Sequence, residues 1–172
     1  MEKENTTLII IDVQEKFLPV IKNIGLVIKN TVKLIKSFQI MKVPIIVTEQ
    51  YSKGLGKTVD KIRNELKEYN PIEKICFNCF DNKDFYGVLK DKKIKNLVIC
   101  GIESHVCVTQ TLIDAISKGF TVHLVKDAVS SRKESDCEIA VERAKQEGAL
   151  ISSTEMIIFC LLYTSPSPRD RS

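Results

Sequence analysis

The sequence is poor in glycine and proline, with seven and five among 172 residues. That excludes collagen-like, fibrous and low-complexity disordered classes. No apolar run approaches the roughly 20 residues needed to cross a bilayer, so residence in a membrane is excluded as well. The amino terminus, Met1-Glu2-Lys3-Glu4-Asn5, runs straight into a strand pattern without the organisation of a signal peptide, which points to a cytoplasmic protein. A large charge of one sign is also missing. The net charge is +4, and lysines such as Lys29, Lys33 and Lys36 are spread over amphipathic segments. This reads as a solvated helix face, so neither nucleic acid nor membrane is expected as a partner. What remains is a globular composition, 44% hydrophobic and 28% charged, in a chain sized for one domain with a full core.

Short apolar runs alternate with amphipathic stretches along the chain. The runs predict strands over 7–12, 43–49, 73–77, 96–101, 120–125 and 149–153. Helical spacing predicts helices over 21–41, 58–68, 84–92, 104–118 and 134–147. Strands separated by helices imply right-handed crossovers. The expected fold class is therefore α/β, a three-layer doubly wound fold with a six-stranded parallel sheet flanked by helices on both faces. The domain is expected over 1–162, closed by a short helix capped by Ser153 or Thr154 and cut short at its end. Residues 163–172, YTSPSPRDRS, have no periodicity and read as a non-native or disordered tail.

In such sheets ligands bind at the carboxyl ends of the strands. The residues that follow the predicted strands are Asp12, then Thr48-Glu49-Gln50-Tyr51, then Lys74, then Glu103, His105 and Cys107, then Ser130, Ser131 and Arg132. Six cysteines in a reducing compartment stay thiols, so each is core filler, metal ligand or reactive group. Cys107 stands at the expected start of a helix, where the dipole stabilises a thiolate and depresses its pKa. Asp12 can accept the thiol proton and return it to a leaving group. Lys74 can keep that carboxylate ionised and stabilise charge developing on a substrate. Backbone N–H groups of Glu103 and Cys107 can form an oxyanion hole, and Phe17, Gln50 and Tyr51 follow the first two strands as pocket-lining candidates. The plain alternatives are a buried small hydrophobe for Cys107, a capping acid for Asp12 and a surface lysine for Lys74. Cys76 and Cys79 form a C-x-x-C that reads as packing or loop, with a thiol–disulfide pair as its rival. Cys100 and Cys160 read as core, His123 as structural, and His105 as pocket lining or cover for the helix start.

The blocks IIIDVQ with Asp12, VPIIVTEQYSKGLG, EKICFNCF with Lys74, LVICGIESHVCVTQT with Cys107 and GFTVHLVKDAVSSR resemble the isochorismatase-like cysteine hydrolase superfamily. The resemblance implies an Asp12–Lys74–Cys107 catalytic triad and a non-proline cis peptide at Ile102–Glu103 that turns the Glu103 N–H toward an oxyanion. It is nearest to the metal-free branch. Only His105 and His123 are present, neither in the second loop, so no metal and no cofactor are expected. It further implies a small-molecule substrate and a homo-oligomer. The expected activity is hydrolysis of a small amide or related C–N bond through a thioester on Cys107. The alternatives are enol-ether hydrolysis and a catalytically silent domain that binds a metabolite or protein.

Overall fold

The computed structural model describes residues 1–163. Its elements are β1 (Thr6–Ile11), α1 (Ile24–Ile40), β2 (Ile45–Gln50), α2 (Ser52–Leu55), α3 (Asp60–Arg63), β3 (Ile72–Lys74), α4 (Lys83–Asp91) and β4 (Asn96–Ile102). A π-helical turn (Ser104–Val108) leads into α5 (Thr109–Ser117), followed by β5 (Thr121–Ser130), α6 (Glu134–Gln146), β6 (Leu150–Ser152) and α7 (Thr154–Tyr163). The six strands lie in the order β3-β2-β1-β4-β5-β6. Every pairing is parallel.

The apolar run of β1 is buried from end to end because both faces of the sheet are covered. Alternate residues feed two cores. Leu8 and Ile10 pack with Leu34, Ile35 and Phe38 of α1, Ile62 of α3 and Ile157 of α7. Ile9 and Ile11 pack with Phe85 and Leu89 of α4, Leu112 of α5 and Ala144 of α6. Each fully buried Leu, Ile or Phe contributes roughly 1.5–3 kcal/mol, so these rows fix which helix lies on which face. Among the described residues no helix is long and apolar enough to cross a membrane. After β3 the chain returns to the far side of β1 and runs up β4. The crevice at that change of direction, between the carboxyl ends of β1 and β4, is where such folds hold their ligands.

Four local expectations are corrected. Instead of a helix over 58–68 there is one turn, α3, because the Gln39 side chain donates to the Glu65 carbonyl (2.9 Å) and accepts from the Lys67 N–H (2.8 Å). These long-range bonds satisfy the backbone that a longer helix would have paired. Strand β5 continues to Ser130, past Lys126 and Asp127, with a shift in register against β4. Cys160 is exposed rather than core, since α7 buries the rows of Ile157 and Leu161. Tyr163, expected in the tail, is the last residue of helix α7, and the rest of the expected tail, residues 164–172, lies outside those described.

Candidate active site

Asp12 follows directly on β1, in the left-handed region with φ 52°, and its N–H donates to the Thr48 carbonyl (3.2 Å). Its carboxylate is fully engaged within the crevice. Oδ1 accepts from Thr48 Oγ1 (2.7 Å) and Oδ2 from Lys74 Nζ (2.8 Å). The side chains of this pair are 1% and 0% exposed, so it is a buried ion pair. Desolvating two charges costs several kcal/mol each, and only further hydrogen bonds make the arrangement tolerable. Lys74 has them. Its ammonium also donates to Gln50 Oε1 (2.8 Å) and to the carbonyls of Cys76 and Phe77 (3.2 Å each). Burial works to lower the Lys74 pKa, but Asp12 and the nearby Cys79 and Cys107 outweigh it and hold the ammonium above the ordinary lysine value.

The π-helical turn after β4 carries Cys107, which is buried. Gly101 lets β4 approach β1 closely here. It has φ 120°, and a Cβ on it would stand 2.1 Å from the Ile11 carbonyl oxygen. The Ile102–Glu103 peptide is cis. The Glu103 carbonyl accepts from the N–H groups of Val106 (3.1 Å) and Val108 (3.3 Å), which shapes the turn. The Cys107 thiol lies close enough to Asp12 and Lys74 for both charges to act on its ionisation. Here the expectation of a depressed thiol pKa is corrected. Burial, then the Asp12 charge, push the Cys107 thiol well above the ordinary range, and Lys74 only partly opposes them. A helix start lowers a thiol pKa where water and cations share the site; beside a buried carboxylate the protonated form prevails.

Of the pocket-lining candidates, Gln50 spends its amide on protein groups, accepting from Lys74 and donating to the Ile75 carbonyl (2.7 Å). It supports Lys74 rather than presenting a free amide to a ligand. Tyr51 is half exposed, its N–H on the Lys74 carbonyl (3.0 Å), its ring over Gly54, where a Cβ would meet the ring at 2.5 Å. Phe17 packs with Ile21, Val27 and Ile102 on the β1 side of the crevice. Residues the sequence reading did not assign complete the site. Gln14 donates to the carbonyls of Gln50 (2.9 Å) and Gly56 (2.7 Å) and accepts from the Gln50 N–H (2.7 Å), binding the first loop to the second. Buried Glu49 accepts from the N–H (2.7 Å) and hydroxyl (2.8 Å) of Thr58 and from the Tyr69 hydroxyl. Cys79 is fully buried, close enough to the ion pair to feel its charges, its N–H donates to Thr111 Oγ1 (3.0 Å), and burial pushes its thiol up to about 12. In the sequence Cys79 stands only as half of the C-x-x-C with Cys76, which reads as packing or loop.

A carboxylate, an ammonium and a thiol gathered at the switch point of an all-parallel doubly wound sheet place the chain among hydrolases built on an α/β sheet. The isochorismatase domain family matches residues 6–156, and the chain belongs to that family. Isochorismatase family protein 1A of Dictyostelium discoideum is 42% identical over 162 residues, covering 91% of this chain and 79% of its own. The secreted isochorismatase effector Isc1 of Phytophthora sojae is 34% identical, covering 98% and 82%. Among solved structures, the MAR1 ribonuclease of Caenorhabditis elegans superposes with a TM-score of 0.91 at 38% identity, covering 99% of this chain and 88% of that one.

Proposed function

We propose that the protein is a cysteine-dependent hydrolase of a small amide or related C–N substrate, with Asp12, Lys74 and Cys107 as its catalytic triad. The observation that carries this reading is the buried Asp12 carboxylate, held in place by Lys74 (2.8 Å) and Thr48 (2.7 Å), beside the buried Cys107 thiol whose ionisation it opposes. As Sγ attacks the substrate carbonyl carbon, its proton passes to Asp12. The oxyanion is received by the backbone N–H groups of Glu103 and Cys107. Collapse breaks the C–N bond, Asp12 returns the proton to the departing amine, and a thioester remains on Cys107. Water then attacks the thioester with Asp12 again taking a proton, and the acid leaves with the thiol restored.

The experiment is a panel of small amides, hydroxamates and ureido compounds, read by amine release and by intact mass after rapid quenching. An acyl adduct that maps to Cys107, together with loss of turnover in Cys107→Ala, is the expected result. Turnover of an enol ether added to the panel, surviving Cys107→Ala, moves the reading to enol-ether hydrolysis, which needs no covalent thioester. No turnover of any compound, with Cys107 unreactive, favours a silent binding domain. A second reading, RNA cleavage, is favoured by the 38% identity to the C. elegans protein named a ribonuclease. Fluorescent RNA tests it, and cleavage abolished by Asp12→Asn would support it. We also propose a homo-oligomer, because α6 and α7 leave Ile139, Met156, Phe159 and Leu162 exposed. Light scattering at the monomer mass overturns that.

A further inference from the structure

Successive residues of the turn ahead of Cys107 are all held by one stretch of chain beyond the end of β5. Glu103 Oε2 accepts from both the backbone N–H and the Nε of Arg132, each at 3.1 Å. Ser104 Oγ lies 3.4 Å from Cys137 Sγ. His105 Nδ1 lies 2.9 Å from Ser131 Oγ, and its Nε2 faces Asp136 Oδ2 at 3.8 Å. Glu103, Ser104 and Ser131 are buried, while their partners Arg132, Cys137 and His105 are partly open to solvent.

The fold explains why this stretch reaches the turn. On β4, Ile99 and Gly101 are two residues apart, yet their partners on β5, Leu124 and Val129, are five apart. The added residues bulge out, re-aim the strand and bring Ser130 opposite Ile102. The stretch is itself anchored. Ser130 Oγ donates to the Lys22 carbonyl (2.6 Å), and the Lys22 N–H donates to the Ser131 carbonyl (3.1 Å).

We propose that residues 131–137 form a clamp on the nucleophile's turn, with Arg132 and Ser131 as positioning residues that act through Glu103 and His105. The proposal rests on Cys107 being the nucleophile. A sulfur and an oxyanion hole must keep one mutual geometry, and a displacement of about 1 Å costs roughly 100-fold in rate. Arg132 is suited to this without being a stability element. Its side chain is 61% exposed, and an ion pair at such exposure contributes little to folding. In Arg132→Met the backbone N–H of residue 132 still caps Glu103, so the fold is retained while the orienting Nε is lost.

The test compares wild type, Arg132→Met, Glu103→Gln, their double variant and Ser131→Ala. The readouts are kcat, KM, the urea midpoint and the rate of Cys107 carbamidomethylation, which needs no substrate. Expected is a roughly 10-fold fall in kcat for Arg132→Met with KM and the midpoint held, the scale at which supporting residues act. The double variant should be no slower than Glu103→Gln alone, because the two residues form one unit. Ser131→Ala should change the carbamidomethylation rate of Cys107 by a few-fold at an unchanged midpoint. Wild-type kcat and labelling in Arg132→Met overturn the clamp. So does a double variant whose losses multiply, since Arg132 would then act independently of Glu103. A rise in KM at constant kcat also overturns it and makes Arg132 a substrate contact. Full turnover in Cys107→Ala sinks the cysteine-nucleophile reading instead, and the labelling rates then decide the clamp alone.

Discussion

Replacing Asp12 by asparagine should make Cys107 more reactive toward a simple alkylating agent while destroying catalysis. In the resting site the thiol is held protonated by burial and by the nearby Asp12 charge. A charge at that distance moves a partner's pKa by roughly one to three pH units. An asparagine keeps the size of the side chain and can still accept from Thr48, but it removes the anion and leaves the Lys74 ammonium, which favours a thiolate. The sign is then fixed: the Cys107 pKa falls, and at any pH below it the thiolate fraction rises by about 10- to 1000-fold for that shift. Iodoacetamide labelling from pH 6 to 10.5 with peptide mapping measures it directly. Turnover goes the other way, because the proton acceptor is gone, with a loss of about 10²- to 10⁴-fold. A labelling profile that is unchanged or displaced to higher pH refutes the reasoning, since it would mean that Asp12 does not hold the proton on Cys107.

Further outcomes follow from the same geometry. Lys74→Met leaves the Asp12 carboxylate buried without its cation, and breaking such a pair costs about 3–5 kcal/mol; the urea midpoint should fall accordingly and Cys107 labelling should slow, opposite to Asp12→Asn. Gly101→Ala places a Cβ against the Ile11 backbone at 2.1 Å and at a positive φ, so roughly 3–5 kcal/mol of destabilisation or a failure to accumulate as folded protein is expected; a wild-type melting curve contradicts the close β1–β4 approach. Cys100 is buried, and its thiol is pushed up to about 12 by burial, with Thr31 pulling slightly down. A group raised on folding gives stability that is whole below its unfolded value, about 8.5 for a thiol, and is lost as pH rises through the folded one. Cys100→Ala should therefore show a flatter decline in denaturant midpoint between those two values than wild type does.

The strands were legible because a doubly covered parallel strand carries a continuous apolar run, as 8–11 of β1 and 97–100 of β4 do. Asp12, directly after β1, and Lys74, the last residue of β3, stood where a parallel sheet brings side chains to one end, and the two form a buried ion pair there. What lay beyond reach were effects of residues distant in sequence. No local signal says that Gln39 will take the backbone bonds of Glu65 and Lys67 and stop a helix there. Nor does the interruption at Lys126-Asp127 announce that β5 resumes after a bulge, since charged residues ordinarily end a buried strand. The thiol shift is of the same kind. From Cys107 alone the helix start points downward, and only the three-dimensional placement of Asp12 and the depth of burial reverse it.

Lys74 shows how the same placement narrows a role. An ammonium has three hydrogens, and here four oxygens stand within 3.2 Å of it, those of Asp12, Gln50, Cys76 and Phe77. No donor is left to meet an oxyanion, so direct stabilisation of substrate charge by Lys74 would require one of those contacts to break inside a dry site, at the cost of an unsatisfied buried group. Its contribution is instead to fix the charge and position of Asp12, and to draw the 75–77 backbone over the ion pair. In the proposed mechanism, the charge that develops in a tetrahedral intermediate then falls to backbone N–H groups of the turn after β4. On that proposal the orientation of Glu103, rather than the presence of Lys74 near the substrate, is the geometric quantity that sets the rate.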